Sequence, residues 1–471
     1  MKNIIIGIDG LELNVINHYI DELPGFRHLL EKKSLHLVGS VFPADSVPAW
    51  NTIFTGLDPS VHGIVRGKDY VESVEEFDKN YTFELKGNTF WDELSNDGKK
   101  VLILNPFLAY PPWNVNGVFI SGPAFVEGEI KAFPENEEIL NKEVFGGYRP
   151  IKAGSLEKDI DISIEHTNKL VELFLKKYNE DSYDLAFVTF TTLDRIQHYT
   201  WRFFDKEDPL HEHHAKLSFT ILKMLKIFDK LITFLIDKHL GPNDNLIIIS
   251  DHGFSRRPYN LINFNEILRK EGLLILNKEG NSIKSKAIQI LKNNSIKILS
   301  RLKLLDIVAG KLKKIGGIKE LKMSNHIIDK ENSILFSDDK FSGKNPCCGF
   351  RLGSKTTNLT KEKKKELVNK ITSIFKKYNL PEPLWIKWKE ELFHGKFQDR
   401  YPDICLELDS NYGVEFDLFG KTETTSSTHY KISGGHLKDG VFAFYNKRGN
   451  TEKINSINDF KDIVIKSYIQ E

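Results

Sequence analysis

The chain has 471 residues, 40% hydrophobic and 28% charged, with 66 Lys/Arg against 65 Asp/Glu and a net charge of +1. That composition supports a large core, excludes a disordered chain, and gives no overall field that would draw the whole molecule onto nucleic acid. Three cysteines, two of them adjacent (Cys347 and Cys348), exclude a disulfide framework, and no run of about 18 apolar residues occurs, so a cytoplasmic protein without a membrane span is expected.

The first predicted element is the short apolar run Asn3–Ile8, nearly continuous rather than alternating, as in a strand buried on both faces. It ends in Asp9-Gly10. Next, Phe42-Pro43-Ala44-Asp45-Ser46-Val47-Pro48-Ala49-Trp50 runs into Asn51–Gly56. Pro48 suits the first turn of a helix, where its missing N–H has no intrahelical partner to lose. Ser46 would then lie at the helix N-terminus, where free N–H groups and the dipole attract a phosphoryl group. The same position also suits a plain N-cap. His62 reads as a brace for this loop.

A helix is expected over Asp161–Lys177, then a strand over Leu185–Thr191 that ends in Thr192-Leu193-Asp194, with His198 four residues on. If a helix begins there, the i,i+4 spacing puts Asp194 and His198 on one face. His213–His239 reads as a long helix, with Leu217, Ile221, Leu225, Ile227 and Leu231 on its buried side. His211, His213 and His214 would be its solvated start. The strand Asn245–Ser250 leads into Asp251-His252-Gly253. Residues 281–330 contain twelve Lys/Arg and three Asp/Glu, a net of +9, in an amphipathic pattern. The core is therefore expected over 1–265 and 401–471, with 266–400 as a basic cap or insertion. Cys405 lies in an apolar run and reads as core.

Strands alternating with helices predict an α/β fold with a mainly parallel central sheet flanked by helices and an inserted helical cap. In such sheets the carboxyl ends of the strands form the ligand crevice, so Asp9, Asp194 and Asp251 could converge there. Carboxylates mixed with imidazoles suit Zn²⁺ or Mn²⁺ better than Ca²⁺. Taken singly, Asp9 and the 251–253 turn could equally be structural turns.

Taken together, Asp9, Ser46 with Pro48 and Thr55-Gly56, Asp194-x-x-x-His198, Asp251-His252-Gly253 and Gly435-His436 resemble the alkaline phosphatase superfamily. Within it the chain looks like the type I phosphodiesterase/nucleotide pyrophosphatase branch, closest to prokaryotic phosphohydrolases or phosphomutases. The resemblance covers about 1–65, 184–255 and 400–445. It implies an alkaline phosphatase-like core and two divalent metal ions, Zn²⁺ with Mn²⁺ as the alternative. One would be held by Asp194, His198 and His436, the other by Asp9, Asp251, His252 and the Ser46 hydroxyl. It further implies Ser46 as nucleophile, a phosphoserine intermediate and a small phosphate ester, most simply a diester, as substrate. Two departures narrow this. The sulfatase pattern needs an Arg where Trp50 stands, and the Asn that nucleotide pyrophosphatases place after His62-Gly63-Ile64 is absent. Arg66 or Lys68 would supply the positive contact to substrate instead. The alternatives are a phosphomonoesterase or phosphomutase on the same site, or a non-catalytic protein docking anionic membranes through 281–330. No specific nucleic-acid partner is expected.

Overall fold

A computed structural model describes residues 1–66, 85–124, 129–139, 156–283, 286–287, 289–291, 295, 298, 325–339, 341, 345–356, 359–449 and 452–468. The chain divides into two compact units, one of Met1–Ser255, Gly395–Phe397 and Gly434–Glu471, the other of Arg256–His394 and Gln398–Ser433. The expected boundaries at 265 and 401 fall within the second unit. Among the described residues no helix is long and apolar enough to cross a membrane.

In chain order the first unit contains strands β1 (Asn3–Ile8), β2 (Leu35–Gly39), β3 (Val101–Leu104), β4 (Gly117–Ser121), β5 (Lys131–Phe133), β6 (Leu185–Phe190), β7 (Asn245–Ile249), β8 (Gly253–Arg256), β9 (Gly434–Leu437) and β10 (Asp439–Asn446). Eight of them form one sheet in the order β2-β10-β7-β1-β6-β3-β4-β5. The five strands from β7 to β4 are parallel, while β10 and β5 join antiparallel at the two sides. The three strands expected from the sequence are thus the neighbours at its centre.

Nine helices of this unit are α1 (Leu13–His18), α2 (Pro24–Glu31), α3 (Ser46–Thr55), α4 (Pro59–His62), α5 (Phe90–Asn96), α6 (Leu156–Glu180), α7 (Thr192–Phe204), α8 (Thr220–Lys238) and α9 (Phe460–Lys466), counted among the described residues. Successive strand residues face opposite sides, and both sides are apolar. Ile4, Ile6 and Ile8 pack with Phe174 of α6, Ile196 of α7 and Phe228 of α8. Ile5 packs with Ile53 of α3, Phe90 of α5 and Phe460 of α9. A sheet covered on both faces explains why these strands read as continuous hydrophobic runs.

The helix expected from His213 starts later. His214 Nδ1 accepts from the backbone N–H groups of Lys216 and Leu217, both at 3.3 Å, and Ser218 Oγ accepts from His214 N at 3.1 Å. Those side-chain bonds offer the backbone a turn in place of a helical one. His214 also stands 3.4 Å from Glu157.

The second unit has its own core, including Phe264, Ile267, Phe350, Phe375 and Leu406. Its four-stranded antiparallel sheet runs in the order Leu335–Ser337, Cys347–Leu352, Ile404–Glu407, Trp385–Trp388. The helices Phe264–Lys270 and Lys361–Lys377 contribute to that core. All three cysteines are buried and free. Most of the basic stretch expected to be a helix, including 299–324, lies outside the described residues.

Candidate metal centre

Three adjacent strands deliver the carboxylates. Gly7 of β1 lies opposite Ile249 of β7, and Ile8 lies opposite Phe190 of β6, so the carboxyl ends of all three are level. Asp9 follows β1 directly, and Asp251 comes two residues after β7. Asp194 sits in the first turn of α7, just beyond β6, with His198 one turn further along the same face. β9 pairs with β8, which begins directly after His252, and this pairing brings His436 to the same end of the sheet.

The Ser46 loop approaches through α3. Its N-cap is Asp45, whose Oδ1 accepts from Val47 N at 3.0 Å. Ser46 is therefore not the cap, and its hydroxyl is left for other bonds. One turn on, Trp50 Nε1 donates to Asp9 Oδ2 at 3.0 Å. The indole lies so close over β1 that a Cβ at Gly7 would come within 2.7 Å of the ring, which explains a glycine in the middle of a central strand. His62 braces α3 as expected, with Nε2 at 3.2 Å from Thr52 Oγ1.

The ligand-type atoms fall into two sets, Asp194–His198–His436 and Asp9–Asp251–His252, each within 4.8 Å of one another. In the first, Asp194 Oδ1 is 3.4 Å from His198 Nε2 and 3.3 Å from His436 Nε2. In the second, His252 Nε2 is 3.2 Å from Asp251 Oδ2 and 3.7 Å from Asp9 Oδ1. Ser46 Oγ donates to Asp9 Oδ1 at 3.2 Å and lies 3.0 Å from His252 Nε2. The His252 and His436 rings stack with centroids 3.9 Å apart.

This donor set fits divalent cations. Nδ1 of His198, His252 and His436 faces the carbonyl oxygens of Gly434, Gly253 and Ala44 at 2.9, 3.0 and 3.0 Å. A carbonyl only accepts, so each Nδ1 carries a hydrogen and each Nε2 faces inward, where it can give its lone pair to a cation that takes a proton's place. The Nε2 atoms of His198 and His436 are 3.0 Å apart, where two lone pairs repel unless a proton or a cation serves both. Among the described residues Asp251 Oδ2 is buried without a hydrogen-bond donor. Such an atom carries a desolvation penalty that a cation would remove.

The electrostatics agree. Burial, then Asp251 and Asp194, pushes Asp9 well above the usual carboxylate range. Burial and Asp194 push Asp251 up to about 8. Burial presses Asp194 the same way, but the imidazoles of His198 and His436 outweigh it and hold Asp194 below its ordinary value. For His436 burial is likewise outweighed, by Asp194, and its imidazole rises to about 9. Burial, then His436, holds His252 well below its ordinary value. Two buried carboxylates and a half-buried third in one cluster are short of positive charge.

Asp9, Ser46, Asp194, His198, Asp251, His252 and His436 are thus brought together, all within the first unit. Arg66 is half-buried, and Lys68 lies outside the described residues. Sequence reasoning missed the Trp50 bond to Asp9, although its i,i+4 spacing from Ser46 could have signalled it. It also missed Glu12, a buried carboxylate beside the Gly253–Phe254 peptide, and Gln197, whose Nε2 donates to Gly10 O at 2.7 Å. Neither has a sequence signature.

A family model described as type I phosphodiesterase/nucleotide pyrophosphatase matches residues 3–430. A curated protein of Schizosaccharomyces pombe, described as an uncharacterized pyrophosphatase/phosphodiesterase, is 24% identical over 262 residues, 54% of this chain and 44% of the relative. The match therefore spans less than half of that relative's length. Phosphonoacetate hydrolase from Sinorhizobium meliloti, solved with phosphonoformate, is similar in fold at a TM-score of 0.54 and 14% identity, covering 99% of this chain and 95% of the other. The same enzyme with phosphonoacetate gives 0.51 at 14% identity, covering 99% and 95%.

Proposed function

The chain belongs to the type I phosphodiesterase/nucleotide pyrophosphatase family of hydrolases, and from that premise we propose a two-metal phosphohydrolase that cleaves phosphodiesters through a phosphoserine intermediate. The observation that carries the reading is the pair of carboxylate–imidazole sets with the Ser46 hydroxyl beside one of them. The set Asp194, His198 and His436 would hold one divalent ion. Asp9, Asp251 and His252, with Ser46, would hold the other. Bound there, two such ions, Zn²⁺ before Mn²⁺, would neutralise phosphoryl charge and lower the pKa of the attacking hydroxyl.

The chain's own residues supply the rest. Ser46 stands in the first turn of α3, where unpaired N–H groups and the helix dipole favour an anion. Its oxygen lies 3.2 Å from Asp9 Oδ1 and 3.0 Å from His252 Nε2, so it is held in place before substrate arrives. In the first step the Ser46 Oγ–P bond forms, the ester O–P bond breaks and the alcohol leaves. In the second, water attacks phosphorus and returns Ser46 with a phosphate product. His198, His252 and His436 are fixed by their Nδ1 bonds and are better placed as ligands than as general bases.

Arg66 and Lys68 are assigned the contact to the substrate's phosphate oxygens. Free cysteines agree with a cytoplasmic location.

The deciding experiment compares hydrolysis of a nitrophenyl phosphate diester, a monoester and a phosphonate by Zn²⁺- or Mn²⁺-loaded protein. The diester should be turned over fastest. A faster monoester would favour the monoesterase or mutase reading. Loss of none of the activity on exhaustive chelation would overturn the metal-dependent reading altogether.

A further inference from the structure

One peptide group lies between a buried carboxylate and a ligand-type imidazole. Glu12 follows the Asp9-Gly10 turn and is only 4% exposed. Its Oε1 accepts from the backbone and side-chain amides of Asn14 at 3.1 and 2.9 Å. Its Oε2 accepts from the backbone N–H of Phe254 at 3.1 Å. The carbonyl of that same peptide, Gly253 O, accepts from His252 Nδ1 at 3.0 Å. The approach is tight, because a Cβ at Gly253 would lie 2.6 Å from Glu12 Oε2 and 2.1 Å from Asp439 O.

A carboxylate that accepts an amide N–H draws the peptide's electrons toward its carbonyl oxygen. Hydrogen bonds in such a chain polarise one another. A more negative Gly253 O grips the Nδ1 hydrogen of His252 more strongly, and Nε2 becomes a better electron-pair donor. Carboxylates bonded directly to ligand histidines act in this way at metal sites. We infer that Glu12 is a positioning residue that orients His252 and strengthens it as a metal ligand through the intervening Gly253–Phe254 peptide. The inference rests on the two-metal reading above. It separates the two sets, since the hydrogen bonds of Glu12 lead to His252 and not to His198 or His436.

The test is a Zn²⁺ titration of the full-length protein against a chromophoric chelator, resolving two binding steps. Glu12→Gln keeps the shape and an acceptor oxygen but removes the charge. It should weaken one step by about tenfold or more, leave the other unchanged, and leave the melting temperature of the chelated protein unchanged. The weakened step should be the one that Asp251→Asn abolishes. Glu12→Asp, with the charge on a shorter arm, should retain more affinity than Glu12→Gln. Unchanged affinities, equal loss in both steps, or a reversed order of the two variants would overturn the inference and leave the two-metal reading standing. A parent protein that binds fewer than two Zn²⁺ ions would overturn the reading itself, and the inference with it.

Discussion

Asp45 and Ser46 divide two tasks that a single residue could have carried. The Asp45 carboxylate takes the cap of α3, and the Ser46 hydroxyl turns instead to Asp9 Oδ1 and His252 Nε2. Removing that hydroxyl should therefore spare the fold and both carboxylate–imidazole sets. Ser46→Ala is expected to retain two metal ions by elemental analysis and to lose roughly 10³-fold or more in turnover, the scale seen when a nucleophile is deleted from a unit of cooperating groups. Near-full activity in that variant would mean that water attacks phosphorus directly. Trp50 matters at the same scale, because its N–H satisfies the oxygen of Asp9 that Ser46 does not reach.

At the scale of elements, α3 is the piece whose placement depends most on local chemistry. Asp45 caps its start, and Gly56, at φ 70°, closes its end in the left-handed conformation. Asp45→Ala should cost about 1 kcal/mol of stability in denaturant unfolding, whereas Asp45→Asn, an equally good cap, should cost little. If both variants are equally destabilised, the charge of Asp45 beside His436 matters more than its cap. The α7 helix shows the complementary case. It lacks a side-chain cap at Thr191, and its position follows from the buried face formed by Leu193, Ile196 and Trp201.

For the whole molecule, the collected charges make the metal-free state unusual in its response to pH. Asp251, raised to about 8 by burial and then Asp194, binds its proton more tightly folded than unfolded. A carboxyl raised in this way favours folding while protonated, so its contribution falls as pH rises from about 4, the ordinary carboxylate value, toward 8. Asp9 acts in the same direction. His436, raised to about 9 mainly because Asp194 outweighs burial, stabilises the fold below about 6.5 and loses that contribution as pH climbs through 9. His252, held low by burial, opposes them by favouring the fold once pH passes its unfolded value. The chelated protein should thus lose melting temperature between pH 5 and about 8.5, and metal-loaded protein should not, because bound cations keep the carboxylates ionised. Parallel melting curves with and without chelator would contradict this account.

The sheet's three central strands, the residue type at each strand end and the i,i+4 pairing of Asp194 with His198 can be read from the order of amino acids alone. Those features are local: continuous apolar runs follow from burial on both faces, and helical spacing needs no partner. The division of the candidate residues into two sets came from the resemblance to the alkaline phosphatase superfamily, not from the motifs' spacing. Contacts between segments far apart in the chain follow from packing instead. The β8–β9 pairing brings His436 to Asp194 across more than two hundred residues of chain. Trp50 reaches Asp9 only because Gly7 leaves room for the indole. Glu12 gained meaning only when the turn after β7 laid a peptide N–H against it. A buried carboxylate looks like any other in a sequence, since its role is set by which amide faces it, and that is fixed by packing rather than by spacing.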